Sequence, residues 1–294
     1  MSIFEALIQG VVQGLSEFLP ISSSGHLSLL QYFFGINGEA SASYSILLHF
    51  GTLIAVFAAF YKTIWNLILE FFRMVKDIFT GKFSLKNASP ERRMILLLIV
   101  SELPLLVFYF ISDFYNSLSA DSDIIVEGCC FLLTSVLLFI SDRVVKGKKT
   151  AAEMSYKDAL IVGTVQGIAP LPGLSRSGST ISTGLMCGLT REYAVSFSFI
   201  MGIPPVLIAN LLEIKDIFST EVDGAVATLE PMQSIIGIVV AAVVGFASIK
   251  MVNYLVKKDK FTIFAWYTLV LGLATVTLGI IDVIIGHPLF TFSI

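Results

Sequence analysis

Long apolar stretches without charged residues recur along the chain, and they restrict it to folds that can sit in lipid. The stretch from Tyr44 to Tyr61 contains no Asp, Glu, Lys or Arg. Because about 20 apolar residues are needed to cross a bilayer as a helix, this stretch predicts a membrane span. Only 14% of the residues are charged, so we expect an all-α, polytopic membrane protein with about six crossing helices. Similar stretches lie near residues 94–111, 124–141, 193–212, 233–250 and 263–286.

Lys and Arg are unevenly distributed among the loops, and this distribution predicts the orientation of the chain. Basic residues concentrate in the loops 62–93, 142–157 and 250–262, whereas the loops 112–123 and 213–232 are mainly acidic. Lys and Arg in short loops mark the cytoplasmic side of a membrane. The first three loops are therefore expected inside the cell, and the other two outside.

Two segments, residues 1–43 and 158–192, must then begin and end on the same side of the membrane. Both are apolar, but clusters of Gly, Pro and Ser interrupt them. Non-helical backbone at membrane depth is tolerated only where protein or a water-filled cavity surrounds it. Each segment is therefore predicted to form a re-entrant pair of short helices.

These two segments resemble each other at an offset of 153 residues. Residues 13–25 share a Gln-Gly pair and a Ser-x-Ser-Gly motif with residues 166–178. Because the loop charges give the two halves opposite orientations, we expect one integral membrane domain with inverted repeats, residues 1–147 and 148–294. Such repeats place their site near the membrane midplane, where broken helices meet.

Each repeated segment contains a serine loop, defined here as residues 22–26 (SSSGH) and residues 175–178 (SRSG). Each loop leads into an apolar helical stretch, where free backbone N–H groups and serine hydroxyls favour an anion. Two such helix starts facing each other suit a pyrophosphate, which has two anionic groups. Alternatively, Ser and Gly only allow helices to pack closely, which is the interpretation we prefer for Gly14, Gly167 and Gly184.

Arg176 and Glu17 are charged residues inside otherwise apolar segments, where charge is costly and usually functional. Arg176 offers a planar set of donors that suits phosphate oxygens, or it forms a purely structural ion pair with Glu17. Gln13 lies one helical turn before Glu17, so the two side chains can hold a hard divalent cation through oxygen. Alternatively, Glu17 is the base that activates a serine or a water molecule.

Three histidines and one further acid need an interpretation. His26 ends the first serine loop, and it is expected to relay a proton or to act as nucleophile. His49 and His287 belong to no such motif and are interpreted as structural. Glu102 lies deep in the 94–111 stretch, where we expect it to pair with a polar residue of a neighbouring helix.

These motifs resemble those of the undecaprenyl-pyrophosphate phosphatase family, also called bacitracin-resistance proteins. The family's first motif is similar to Gln13 to Glu17 and continues as FLPISSSGH to His26. Its second motif is similar to PGLSRSG, from Pro172 to Gly178. The resemblance covers essentially the whole chain. Position 13 holds Gln where the family has Glu or Gln, which removes one metal-binding charge.

The resemblance implies hydrolysis of undecaprenyl pyrophosphate to undecaprenyl phosphate and inorganic phosphate, which recycles the cell-wall carrier lipid and gives bacitracin resistance. It also implies a divalent cation (Mg²⁺ or Ca²⁺) held by Glu17, and it allows a homodimer. The implied location is the bacterial inner (plasma) membrane, with the active site open to the outer side. The catalytic residues carried over by motif are Glu17, Ser23, His26 and Arg176. The substrate-binding residues carried over are Gln13, Ser22, Ser24, Gly25, Gly173, Ser175, Ser177, Gly178 and Thr180.

Two other functions compete with this interpretation. The acid-phosphatase-like lipid phosphatases also use a Ser-Gly-His loop and an Arg, but they need a catalytic His after a Ser-Arg pair. No His follows Ser175-Arg176 before His287, which argues against that class. A transporter that flips a phosphorylated isoprenyl lipid would also have inverted repeats with broken helices. Nucleic acid is excluded as a partner, because the chain has no basic tail or aromatic-basic patch.

Overall fold

The computed structural model describes residues 2–34, 39–84, 88–110, 124–144, 146–219 and 231–286 of the chain. The regular structure in these ranges is almost entirely helical, which confirms the predicted all-α class. In chain order the helices are α1 (Ile3–Ser16), α2 (Ser23–Phe34), α3 (Glu39–Ala59), α4 (Tyr61–Phe79), α5 (Pro90–Tyr109), α6 (Ile125–Arg143), α7 (Tyr156–Ile168), α8 (Arg176–Met186), α9 (Arg191–Met201), α10 (Ile203–Ser219), α11 (Pro231–Lys257) and α12 (Thr262–Ile285).

Within the described residues, four helical stretches are long and apolar enough to cross a bilayer. They are α6, α11, α12 and the stretch Arg191–Leu212, in which α9 and α10 follow each other. The helices α3 and α4 add a fifth if they count as one span, although they meet at an angle of 86°. The chain is therefore a polytopic membrane protein, as predicted. The finer expectation of six crossing helices stays a prediction.

The segment 62–93, expected as a cytoplasmic loop, contains the helix α4. Its buried positions recur every three or four residues, as on one face of a helix. That face packs inward, and the Arg92 guanidinium donates to Glu70 at 2.7 Å and to Asp77 at 2.6 Å. The segment thus contains regular structure that the charge pattern did not indicate, because charge alone does not distinguish an irregular loop from an amphipathic helix. The buried positions of α4 are Ile64, Leu67, Glu70 and Met74.

Two pairs of short helices lie where re-entrant segments were predicted. Residues 17–22 separate α1 from α2, and residues 169–175 separate α7 from α8. The first helix of each pair packs closely on a long helix, α1 on α11 and α7 on α5. A Cβ atom at Gly14 would lie 2.8 Å from the Ala241 carbonyl oxygen, and one at Gly167 would overlap the Phe108 ring. The packing role predicted for these two glycines is confirmed.

Apolar packing fixes the chain next to the first serine loop. Phe18 is only 1% exposed, and its ring meets Phe199 of α9 edge-on with the ring centroids 5.3 Å apart. Phe60, between α3 and α4, meets the same Phe199 ring at 6.1 Å. Burying a Phe side chain contributes about 1.5–3 kcal/mol. Phe18 therefore anchors the end of α1 against α9, and its neighbour Glu17 is held in place with it.

Candidate active site

The first serine loop touches Gly173, which lies two residues before the second serine loop. A Cβ atom built on Gly25 would lie 2.6 Å from the Cα atom of Gly173. Gly173 itself has φ of +89°, in the left-handed region that glycine adopts without steric cost. Both positions therefore require glycine, one for close approach and the other for its backbone conformation. This contact brings the starts of α2 and α8 together.

The serine loops also share a set of hydrogen bonds at equivalent positions. The Ser22 hydroxyl accepts from the Gly25 N–H at 3.2 Å, and the Ser175 hydroxyl accepts from the Gly178 N–H at 3.0 Å. The hydroxyl oxygens of Ser22 and Ser24 are 3.3 Å apart, as are those of Ser175 and Ser177. Ser22 and Ser175 thus cap two helix starts in the same way.

Arg176 opens α8 and reaches across to the other broken segment. Its guanidinium donates to Glu17 Oε1 at 2.5 Å and to the Ser198 carbonyl at 3.4 Å. A Cβ atom at Gly202, at the junction of α9 and α10, would overlap the guanidinium. Gly202 therefore provides the space that Arg176 occupies. The ion pair that the sequence offered as a structural alternative is present, and it lies on the wall of a cavity.

Three polar side chains surround the second oxygen of Glu17. Ser23 Oγ donates to Glu17 Oε2 at 2.7 Å, and Gln13 Nε2 donates to it at 3.1 Å. His49 Nε2 lies 3.4 Å from the same oxygen. His49 Nδ1 donates to the Ser45 carbonyl at 2.7 Å, so Nε2 can donate to Glu17 only when both ring nitrogens carry protons. Nothing in the sequence placed His49 in the site, but its ring faces the candidate catalytic acid and lines the same cavity as Glu17.

A cavity of about 340 Å³ opens in front of these groups. Its polar wall consists of the two serine loops and the Glu17–Arg176 pair, whereas helices α3, α5 and α10 supply its apolar wall. Such a cavity can hold an anionic group at one end and an apolar chain at the other. The polar residues that line it are Ser16, Glu17, Ser22, Ser23, Ser24, His49, Gln166, Ser175, Arg176, Ser177 and Asn210, and the apolar ones include Ile46, Leu105, Pro205, Val206 and Ala209.

Some of the predicted substrate-binding residues lie behind the cavity wall rather than on it. Gln13 is fully buried behind Glu17, and Gly25 and Gly178 belong to the helix starts. Thr180 is buried as well, and its hydroxyl lies 2.6 Å from that of Ser198 and 2.8 Å from the Arg176 carbonyl. Thr180 therefore supports the first turn of α8, which carries Arg176.

His26 lies beside the site but does not line the cavity. Its Nδ1 is 2.6 Å from the Ser22 carbonyl oxygen, and its Nε2 is 2.7 Å from the Tyr267 hydroxyl of α12. The ring stacks on Tyr267 with the centroids 5.7 Å apart, and it meets Phe131 edge-on at 5.4 Å. Because both ring nitrogens have partners, the geometry gives His26 no free nitrogen with which to attack a substrate.

Glu102 forms the pair that was expected of it. Gln166 Nε2 of α7 donates to Glu102 Oε2 at 3.2 Å, which confirms that this acid bonds to a polar residue of a neighbouring helix. Gln166 and Asn210 also line the cavity, although neither of them belongs to a serine loop. A polar residue within an apolar stretch is the sequence signal that points to Asn210 and His49, and it is weaker than the signal of a charged residue there.

The described residues contain no group of three or more His, Cys, Asp and Glu side chains that would hold a metal ion by themselves. Oxygen ligands are nevertheless present around Glu17. The side-chain oxygen of Gln13 is buried with no hydrogen-bond partner, and the Ser23 hydroxyl is in contact with the carboxylate. Neutral oxygens beside a single carboxylate suit a hard cation when the substrate supplies further charge. The metal site at Glu17 stays a prediction.

Comparison with known proteins gives matches along nearly the whole chain. The family described as bacitracin resistance protein BacA matches residues 6–274. A protein of Methanosphaera stadtmanae named undecaprenyl-diphosphatase is 39% identical over 287 residues, which cover 96% of this chain and 99% of the relative. Relatives with the same name in Treponema denticola and Bacteroides fragilis are 39% and 38% identical. They cover 93% and 95% of this chain, and the matches extend over 96% and 99% of their own lengths.

Proposed function

The chain belongs to the bacitracin resistance protein BacA family and is an undecaprenyl-diphosphatase, and we propose that the cavity between the two serine loops is its active site. The reaction converts undecaprenyl pyrophosphate into undecaprenyl phosphate and inorganic phosphate. One observation carries the assignment of the site. Glu17 contacts both a serine hydroxyl and an arginine at the meeting point of two helix starts.

The proposed nucleophile is the hydroxyl oxygen of Ser23. Its proton passes to Glu17 Oε2, 2.7 Å away, as the oxygen forms a bond to the terminal phosphorus. The bond between that phosphorus and the bridging oxygen breaks, and undecaprenyl phosphate leaves with the electron pair. Water then attacks the phosphoserine and passes its proton to solvent, while Glu17 returns its own proton to Ser23 as phosphate is released.

Arg176 has the proposed role of stabilising negative charge on the transferring phosphoryl group. The guanidinium has five N–H donors, and Glu17 and the Ser198 carbonyl occupy only part of this set. The starts of α2 and α8 meet beside this guanidinium, and the N–H groups of a helix's first turn favour an anion. In this arrangement the phosphate of the substrate competes with Glu17 for Arg176. Once Arg176 binds the phosphate, the Glu17 carboxylate is free to accept the proton from Ser23.

We propose that a divalent cation, Mg²⁺ or Ca²⁺, binds at Glu17, with Gln13 as a second oxygen ligand. The buried and unpartnered Gln13 oxygen supports this fit, since such an atom is costly unless it finds a partner. When bound, the cation would neutralise charge on the pyrophosphate. Gln13 would also orient the carboxylate of Glu17 through its hydrogen bond of 3.1 Å.

We also propose that the two halves of the chain form an inverted repeat of six crossing helices and two re-entrant pairs. The matching hydrogen bonds of the serine loops support it, as does the equivalent packing of α1 on α11 and of α7 on α5. The proposed location is the plasma membrane, with the active site open to the outer side. A cysteine at position 116 should then react with an impermeant thiol reagent added outside, whereas one at position 83 should not.

The experiment that tests the function is phosphate release from undecaprenyl pyrophosphate by purified protein in detergent, with and without a divalent cation. Wild-type protein should release phosphate, and the Glu17→Gln and Ser23→Ala variants should lose nearly all of that activity. Thr164→Ala, which removes an exposed hydroxyl of α7, is a matched control that should keep it. Release at the wild-type rate by Ser23→Ala would remove Ser23 from the role of nucleophile.

The same assay separates hydrolysis from lipid transport. Detergent micelles have no two sides, so a protein that only moved a phosphorylated isoprenyl lipid would release no phosphate there. Absence of release by folded wild-type protein at any cation concentration would therefore favour the transport function.

A further inference from the structure

Ser22 has a backbone conformation that is unusual for a residue with a side chain. Its φ is +72°, in the left-handed region, which is strained for residues other than glycine. Its counterpart in the second serine loop, Ser175, has an ordinary φ of −73°. The strain is therefore specific to the loop that carries Ser23, and neighbouring groups must hold it in place.

The Ser22 carbonyl oxygen is held by a single residue, His26. It accepts the His26 backbone N–H at 3.3 Å and contacts the imidazole Nδ1 at 2.6 Å. In the second loop the equivalent carbonyl of Ser175 accepts only from the backbone of Ser179, which has no ring to offer. The imidazole is thus present in the loop with the strained residue and absent from the other.

The hydrogen bonds of His26 define which nitrogen carries its proton. A carbonyl oxygen only accepts, so Nδ1 must be the donor to Ser22. In the neutral ring Nε2 is then an acceptor, and the Tyr267 hydroxyl at 2.7 Å donates to it. A proton on Nε2 instead would leave two acceptor atoms, Nδ1 and the Ser22 oxygen, facing each other at 2.6 Å.

We propose that Tyr267 is a positioning residue for the hydrolysis, acting through His26 and the Ser22 carbonyl on the placement of Ser23. By donating to Nε2, Tyr267 keeps the proton of His26 on Nδ1, where it holds the Ser22 carbonyl. The Ser22 carbonyl belongs to the peptide group that leads into Ser23, so its orientation sets where the Ser23 hydroxyl points. This role rests on the proposed function of Ser23 as nucleophile.

Tyr267→Phe tests this role because it removes one hydroxyl and keeps the stacked ring. We expect kcat to fall about fivefold to tenfold, in line with the loss of one hydrogen bond, while KM and the melting temperature stay unchanged. Tyr254→Phe is the matched control, since Tyr254 is an exposed tyrosine on α11, and it should keep the wild-type kcat. A wild-type kcat for Tyr267→Phe would overturn the positioning role.

A double-mutant cycle with His26→Asn tests the route of the effect. The amide nitrogen of Asn can donate to the Ser22 carbonyl as Nδ1 does, but it has no tautomer for Tyr267 to select. His26→Asn should therefore keep more activity than His26→Ala, and adding Tyr267→Phe to it should cause no further loss. A full fivefold to tenfold loss on top of His26→Asn would show that Tyr267 does not act through the imidazole.

The nitrogen-15 chemical shifts of the His26 ring separate this inference from the proposed function. Wild-type protein should show a protonated Nδ1 and an unprotonated Nε2, and Tyr267→Phe should show a mixture of tautomers. An unchanged spectrum in Tyr267→Phe would overturn the inference even if the enzyme is active. A failure of wild-type protein to release phosphate would instead overturn the proposed function, whatever the tautomer.

Discussion

Glu17 and Arg176 form an ion pair across 159 positions of the sequence, with the guanidinium nitrogen 2.5 Å from the carboxylate oxygen. The pair joins the end of α1 to the start of α8, so it links the two broken segments directly. Both partners are largely withdrawn from solvent, with side-chain exposures of 7% for Glu17 and 22% for Arg176. Loss of either partner therefore leaves a poorly solvated charge on the other. A phosphate group that enters the cavity meets the Arg176 guanidinium already in position.

Arg176→Ala should lower kcat by at least about 100-fold, as removal of a donor to a developing oxyanion does in other enzymes. Arg176→Lys keeps the positive charge but not the planar set of donors, so it should retain part of the activity. Phosphate release from undecaprenyl pyrophosphate measures both. Arg73→Ala removes an exposed arginine of α4 and should stay within twofold of wild type. Activity of Arg176→Ala within tenfold of wild type would contradict the role.

His49→Gln should lower kcat/KM by about tenfold, because it removes a ring that faces Glu17 at 3.4 Å and lines the cavity. His287→Gln is the matched control. His287 lies outside the described residues. It is in neither serine loop and was interpreted as structural from the sequence, so this change should leave kcat/KM unchanged. Equal activity of His49→Gln and wild type would return His49 to the structural role that the sequence indicated.

Gln13→Glu should reduce the concentration of divalent cation needed for half-maximal activity. The substitution places a second carboxylate beside Glu17, which adds charge to the proposed metal site. Without the cation the two acids repel each other, so the melting temperature should fall in a chelator and recover when Mg²⁺ is added. Gln13→Leu should have the opposite effect on the cation requirement. An identical cation dependence in all three proteins would exclude Gln13 as a ligand.

Local sequence signals were sufficient to predict the parts of the site that lie in the two motifs. Gly, Pro and Ser within apolar segments mark the breaks between α1 and α2 and between α7 and α8. Glu17 and Arg176 were identified because a charge at membrane depth is rare and needs a partner. The repeat of the serine loops also indicated that the two broken segments would meet, as they do at Gly25 and Gly173.

Contacts between distant elements were the part that the sequence did not reveal. Tyr267 lies 241 positions from His26, in a stretch whose composition only indicates a membrane span. His49 lies in a similar apolar stretch, and its helical position does not indicate which helix it faces. Gly202 was missed for the same reason, since a glycine that makes room for a side chain looks like any other glycine of an apolar helix. Such roles depend on packing, which a single sequence does not specify.

Gly202→Ala should impair catalysis while leaving the protein folded. The added methyl group would overlap the Arg176 guanidinium, and the end of a long side chain moves more easily than backbone does. Arg176 would shift away from Glu17, so kcat should fall about tenfold or more, with little change in melting temperature.

Gly184→Ala is the matched control for that substitution, because its new methyl group would come within 3.4 Å only of side-chain atoms, the flexible end of Leu189 at 3.1 Å and the Ala194 Cβ atom at 3.4 Å. Alanine also favours a helix interior over glycine by about 1 kcal/mol, so Gly184→Ala should keep both activity and stability. Phosphate release and thermal unfolding in the same detergent compare the two variants. If Gly202→Ala kept the wild-type kcat, the position of the guanidinium seen here would not be the one that catalysis requires.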